Sequence, residues 1–207
     1  SSDRFSELEK AVRLAPTSVK AHFNLGVAYG AAPGHGVAKE IEQLRKVIEL
    51  APTFPRARVA LGKALLREGK VGDAVTELQE ATRLEPQSGE AQYQLGLALA
   101  RAGRKEDAAA ALHQGRELVA AGDRKQNANF DITDGRLALQ RGDAAEAAAR
   151  FRRAIELLPE FSEAHRYLGA ALEKQGDAAG ASASYRKALE LNPADVPAKE
   201  GLERLEV

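Results

Sequence analysis

The chain has 207 residues, 44% hydrophobic and 29% charged, the balance of a folding rather than a disordered sequence. Lys+Arg and Asp+Glu stand at 30 each, so bulk charge gives no argument for nucleic acid or a membrane surface. Cysteine is absent, which excludes disulfides, thiolate nucleophiles and thiolate metal sites, and suits cytoplasm and periplasm alike.

The opening "SSDRF" has no methionine. The chain is therefore expected to be an excerpt or a processed product, with any targeting signal lying outside it. Residues 3–16, "DRFSELEKAVRLAP", read as one amphipathic helix closed by Pro16. Its apolar face, with Phe5, Leu8 and Val12, has no first helix before it and is expected to self-associate or to meet further repeats. A second helix follows from Val19. The turn after it, "GAAPGHGVAKE" (Gly30 to Glu40), is two residues longer than its later counterparts. Gly, Pro and His predict a mobile loop there, with His35 a solvated residue. "GHG" lacks the glycine spacing and Lys-Ser/Thr of a phosphate loop. Glu40 falls where other units carry alanine, so it needs a partner or a re-aimed helix.

From Pro55 onward the pattern repeats. Pro52 and Pro86 stand 34 apart, as do Pro159 and Pro193; Pro16 and Pro52 stand 36 apart. Leu-Gly recurs at Leu25-Gly26, Leu61-Gly62, Leu95-Gly96 and Leu168-Gly169. A further glycine follows at Gly69, Gly103, Gly142 and Gly176, suited to a left-handed helix end. Asp143 and Asp177 come next, in N-cap position. Then come Ala74, Ala108, Ala147 and Ala181, followed by a larger residue at Leu78, Leu112, Phe151 and Tyr185. Each unit reads as an antiparallel helix pair that buries its apolar faces only by stacking on neighbours.

One stretch departs. The third unit lacks its closing proline, and "DRKQN", 123–127, separates it from the fourth. There Phe130 and Leu137 replace Ala91 and Ala98, and Asp131 and Asp134 enter packing slots. This predicts an irregular junction over 119–131, with a rotated or shifted helix. The aspartates would look to solvent or pair with Arg104, Lys105 or Arg136. A partner contact at a kink, or an acid pair with His113, are the alternatives.

The segments "AHFNLGVAY", "AQYQLGLAL" and "AHRYLGAALEKQGDAAGASASYRKALELNP" resemble tetratricopeptide repeats. The resemblance spans nearly the whole chain: a half-repeat at 3–16, repeats at 19–54, 55–88, 89–122, 128–161 and 162–195, and a capping helix at 196–207. It implies one all-α, right-handed superhelical solenoid. In this family the concave face, lined by the first helix of each repeat, binds a peptide or protein segment. The lining slots here are Phe23, Val59, Tyr93, Ile132 and Arg166. Val59 and Ile132 could equally fill the core between repeats. Neighbouring slots hold Lys20, Arg56, Lys63, Arg67, Arg101, Arg136 and Lys174 against Glu90, Glu163 and Glu173. The resulting partner set is Lys20, Phe23, Val59, Lys63, Arg67, Tyr93, Arg101, Ile132, Arg136 and Arg166. It suits an acidic segment with apolar anchors. The residues of the family's carboxylate clamp are absent, and of its asparagine ladder only Asn24 is present.

No HExxH, Gly-x-Ser-x-Gly or histidine cluster occurs, so no catalytic, cofactor-binding or metal residue is named. The expected function is a non-catalytic scaffold. The alternatives are the adaptor domain of a larger enzyme, or single-stranded RNA binding through the basic groove. Scarce aromatics and zero net charge argue against nucleic acid. The Ala, Arg and Gly richness suggests a bacterial source.

Overall fold

The computed structural model describes residues 2–32 and 36–205. The expected mobile loop around His35 falls on 33–35, outside the described residues. Among those described there are eleven α-helices and no strand. They are α1 (Ser2–Leu14), α2 (Val19–Ala31), α3 (Val37–Leu50), α4 (Pro55–Glu68), α5 (Val71–Leu84), α6 (Gly89–Arg101), α7 (Lys105–Gln140), α8 (Ala144–Leu157), α9 (Ser162–Gln175), α10 (Ala178–Leu191) and α11 (Val196–Leu205). The chain forms two compact units, Ser1–Val119 and Ala120–Val207.

Local chemistry sets the helix ends. Gly69, Gly103, Gly142 and Gly176 have φ between 78° and 85°, the left-handed cap the sequence predicts. Asp143 and Asp177 accept hydrogen bonds from the backbone N–H of Glu146 and Gly180, both at 2.9 Å. Ser18 and Ser88 cap α2 and α6 in the same way.

Within each repeat one contact recurs. The first-helix glycine lies against the large residue of the second helix: Gly26 on Leu44, Gly62 on Leu78, Gly96 on Leu112, Gly135 on Phe151 and Gly169 on Tyr185. Leu44, Leu78 and Phe151 are wholly buried as a result. Glycine is required there because a Cβ would come within about 3 Å of the opposing side chain.

A second recurring contact escapes sequence reading. His22, Arg58 and His165 occupy one repeat position. Each side chain lies against the carbonyl of the preceding turn's proline: Pro16 at 2.9 Å, Pro52 at 2.8 Å and Pro159 at 2.8 Å. His22 and Arg58 also reach the second helix of their own repeat, at Gln43 (2.8 Å) and Glu77 (2.7 Å).

Asp131 is the counterpart of these residues in the fourth repeat. The junction expected over 119–131 is uninterrupted helix, since α7 runs from Lys105 to Gln140. Residues 119–131 contain no proline, and Gly122, the one glycine there, is tolerated within the helix. With no proline turn before it, the position needs no donor to a turn carbonyl. Asp131 is buried, and its carboxylate lies 3.4 Å from Arg150 and 3.4 Å from Arg153 on α8. Asp134, half exposed, lies 3.6 Å from Arg150. Both aspartates are thus paired, but with α8 rather than with Arg104, Lys105 or Arg136. The expected rotation of this helix is also corrected, because Gly135 keeps its contact with Phe151. What differs is another face: Phe130 and Leu137 are 59% and 49% exposed, whereas Ala91 and Ala98 are buried. Arg58–Glu77 and Asp131–Arg150 are the same pair with the charges exchanged. Asp131→Arg alone is therefore expected to lower the melting temperature of the second unit. Combining it with Arg150→Asp should recover much of the loss. A double variant no more stable than the worse single variant would exclude the pairing.

The last helix is latched onto its neighbours. Tyr185 donates a 2.7 Å hydrogen bond to Glu173, which also accepts two from Arg204 of α11, both at 3.1 Å. The Arg204 guanidinium, with Tyr185, holds the Glu173 carboxyl below its ordinary range. Burial, then Glu173, raises the Tyr185 hydroxyl. Burial and the 2.8 Å hydrogen bond to Glu9 push Tyr29 up to about 12. Both phenols stay neutral in the fold at a pH where the unfolded chain ionises them. Their contribution is whole below the ordinary tyrosine value of about 10; for Tyr29 it is lost as pH rises through about 12, and for Tyr185 as pH rises through its own raised value. Chemical-denaturation stability should fall across that window, and less steeply in a Tyr29→Phe, Tyr185→Phe double variant. Equal slopes in the two proteins would refute the assignment.

Candidate functional site

The first unit presents three adjoining depressions along its first-type helices. One is lined by Phe5 and Leu8 of α1 and by Phe23, Val27 and Ala28 of α2. The next holds Phe23, Arg56, Val59, Lys63 and Glu90. The third holds Lys63, Leu66, Arg67, Gln94, Leu97 and Arg101. Phe23 borders the first two and Lys63 the last two, and the middle and third depressions together make a channel along α4 and α6 with Phe23 of α2 at one end.

Tertiary contacts decide what each side chain can offer there. Phe23 is half-buried, its ring 5.1 Å from that of Phe54. Val59, only 7% exposed, belongs to the core and forms the floor of the middle depression. Tyr93 is 41% exposed on α6. Lys63 lies 3.1 Å from Glu90. Arg67 is bonded to Glu40, which is buried in the slot that other repeats fill with alanine. Arg101 donates a 3.0 Å hydrogen bond to the carbonyl of Leu66. Lys20 and Arg56 are exposed and have no acidic partner among the described residues.

The cationic excess is therefore smaller than the sequence slots suggest. Arg67 serves Glu40 and Lys63 serves Glu90, which leaves Lys20, Arg56 and Arg101 without a carboxylate. Arg56, left out of the sequence-derived partner set, is the least committed of the cations in the channel. Leu66 and Leu97 were not singled out either; both lie on the inner side of first-type helices, one position from Arg67 and one turn from Arg101.

In the second unit the three expected residues do not converge on one depression. Ile132 is 4% exposed and packs in the core, so the expectation that it lines a groove is corrected. Arg136 and Arg166 flank the Tyr167 ring at 5.5 and 4.3 Å, and Tyr167 stacks on Phe151 at 5.4 Å. Arg166 also lies 3.1 Å from Asp195, whose carboxylate caps α11 at the Ala198 N–H. It is a structural cation.

Among the described residues no group of three His, Cys, Asp or Glu is placed to hold a metal ion. No described helix is long and apolar enough to cross a membrane.

A family model described as "Tetratricopeptide repeat" matches residues 59–123 and 133–196. A search of curated proteins by sequence finds no match. Among solved structures, YrrB, "a TPR protein with an unusual peptide-binding site", aligns at 17% identity with TM-score 0.50, covering 95% of this chain and 97% of that one. The Cut9–Hcn1 hetero-tetramer of the APC/C aligns at 15% identity with TM-score 0.50, over 98% of this chain and 40% of that one. MamA aligns at 24% identity with TM-score 0.46, over 84% and 92%. The recurring glycine contacts, the left-handed caps and the 34-residue period belong to that family's unit. The chain belongs to the tetratricopeptide repeat family.

Proposed function

We propose that the chain is a non-catalytic scaffold whose first unit receives a peptide or extended protein segment along the channel of α2, α4 and α6. The fold itself supports a protein–protein interaction role. The observation that carries the finer reading is the channel's make-up: an apolar floor and walls from Phe23, Val59, Leu66 and Leu97, beside Arg56 and Arg101, neither of which has a carboxylate partner among the described residues. Guanidinium groups hold carboxylates in bidentate geometry, and apolar side chains between them find desolvated pockets. The partner is thus an acidic segment with spaced apolar residues. The peptide-binding site described for YrrB is that protein's own; the shared fold makes a peptide the first class to try.

Selection from a display library of short random peptides tests this. Enriched sequences should pair Asp or Glu with apolar residues. They should lose at least about tenfold in affinity, roughly 1.4 kcal/mol, to an Arg56→Glu, Arg101→Glu variant that keeps the wild-type circular dichroism. Enrichment of sequences without acidic residues, or equal binding by the variant, would remove the acidic-channel reading. Charge reversal at Arg67 is unsuited to this purpose because Arg67 neutralises buried Glu40.

A further inference from the structure

In a stack of repeats each unit is covered by the next, and burial records where that happens. On the first helices, Val59 and Ile132 are 7% and 4% exposed, and Phe23 is half-buried against Phe54 of the next repeat. Tyr93, at the same position in the third repeat, is 41% exposed. On the second helices, Ile41, Val75 and Ala148 are buried, while their counterpart in α7, Ala109, is exposed. Leu44, Leu78 and Phe151 are wholly buried, but Leu112 is only partly so. The third repeat thus presents a far face that no following repeat covers.

The fourth repeat shows the matching half. Ala57, Ala64, Ala91, Ala98, Ala164 and Ala171 receive a preceding repeat and are all 0% exposed. Their counterparts Phe130 and Leu137 are exposed. Asp134 between them is half exposed, where Leu61, Leu95 and Leu168 are buried. Both halves of one repeat-on-repeat interface therefore stand open in the middle of the chain, with complete repeats on either side. Regular stacking lays each first helix back along the second helix before it, as α4 on α3, α6 on α5 and α9 on α8. The second half of α7 instead continues the first half without a break. An uninterrupted helix does not double back on itself, so α7 denies the two faces to each other within one copy.

We propose that a second copy of this chain closes the interface by reciprocal exchange, the third repeat of each copy receiving the fourth repeat of the other. The occupant follows from the order of the repeats: the fourth is the one that belongs on the third, and it is out of reach only in its own copy. Two copies satisfy both junctions at once and leave neither face open. The register follows from the pairs α3/α4 and α5/α6, each joined by four residues. Counting outward from those turns sets Ile41 opposite Ala64 and Val75 opposite Ala98. The same register between two copies sets Ala109 opposite Leu137 and Arg116 opposite Phe130. The large residue has changed sides from the second helix to the first, which keeps the volume between the helices filled. The exposed Arg116 brings a guanidinium to the Phe130 ring and to the neighbourhood of Asp134.

Sedimentation of the chain across the micromolar range tests this. Wild-type protein should dimerise. Ala109→Lys and Leu137→Glu each change an exposed position, so both variants should keep the wild-type circular dichroism and melting. Each should weaken the dimer at least tenfold, because each substitution enters both junctions of a pair. Mixed in equal amounts, the two variants should recover the dimer. One junction of the mixed pair then has wild-type faces on both sides, and the other sets the new lysine against the new glutamate. A monomeric wild type would overturn the proposal and leave the two faces to a different protein or to a break in α7. Dimers that neither substitution weakens would overturn it too. Dimers that each substitution weakens but the mixture does not restore would mean that like faces meet, which excludes the exchange. Assemblies that grow beyond two copies would exclude the closed pair.

Discussion

Replacing Arg67 with alanine is expected to cost the first unit roughly 3 kcal/mol, the low end for breaking a buried ion pair. Glu40 is 5% exposed and Arg67 is its ion-pair partner. Without the guanidinium the carboxylate must stay charged in a poor solvent, take up a proton, or swing out and open the packing of α3. The half-exposed Arg67 lets water reach the pair, which keeps the cost from being larger. Arg67→Glu should be worse, since it sets a like charge beside Glu40. Glu40→Ala restores the residue that the equivalent positions hold as Ala74, Ala108, Ala147 and Ala181. The double variant Glu40→Ala, Arg67→Ala should therefore be more stable than Arg67→Ala alone. Urea denaturation of the four proteins forms a double-mutant cycle. Additive losses would show that the pair carries no coupling.

Gly135→Leu is expected to unfold the second unit, and Gly135→Ala to weaken it by about 1–2 kcal/mol, overpacking of about 1–3 set against the better helix propensity of alanine. A Cβ at this position would stand 2.6 Å from one carbon of the Phe151 ring and 2.8 Å from the next. Phe151 is wholly buried and stacked on Tyr167, so the ring has nowhere to retreat. Gly72 is the control, because nothing lies within 4 Å of its hypothetical Cβ. Gly72→Ala, also within a helix, should stabilise by up to about 1 kcal/mol from the same propensity difference. Thermal melts of the three variants separate the close-packing role from a general intolerance of substitution. If Gly135→Ala is as stable as wild type, the contact is not close-packed.

The alkaline loss assigned to Tyr29 and Tyr185 and the Asp131–Arg150 exchange probe the same principle at smaller scale. In each case a polar group is held by side chains of another helix. Neither partner is apparent from its own segment.

What the sequence determined by itself was everything governed by local chemistry and by repetition. The helix pairs, the left-handed glycines at 69, 103, 142 and 176, and the aspartate caps at 143 and 177 depend on a few consecutive residues. The period multiplies that signal five times, which makes the family legible. The tertiary structure alone decided the rest. Nothing in residues 119–131 says whether two helices or one will form; α7 is continuous there because no proline interrupts it and Gly122 is tolerated within the helix. Asp131 is read as an irregularity until α8 brings Arg150 against it. Arg67 and Arg166 look like free groove cations until Glu40 and Asp195, 27 residues before the one and 29 after the other, are packed beside them. Ile132 holds a lining slot by register but is turned into the core. Local rules place a side chain on a helix face. Only packing against other helices decides whether that face meets solvent, a partner or an opposite charge.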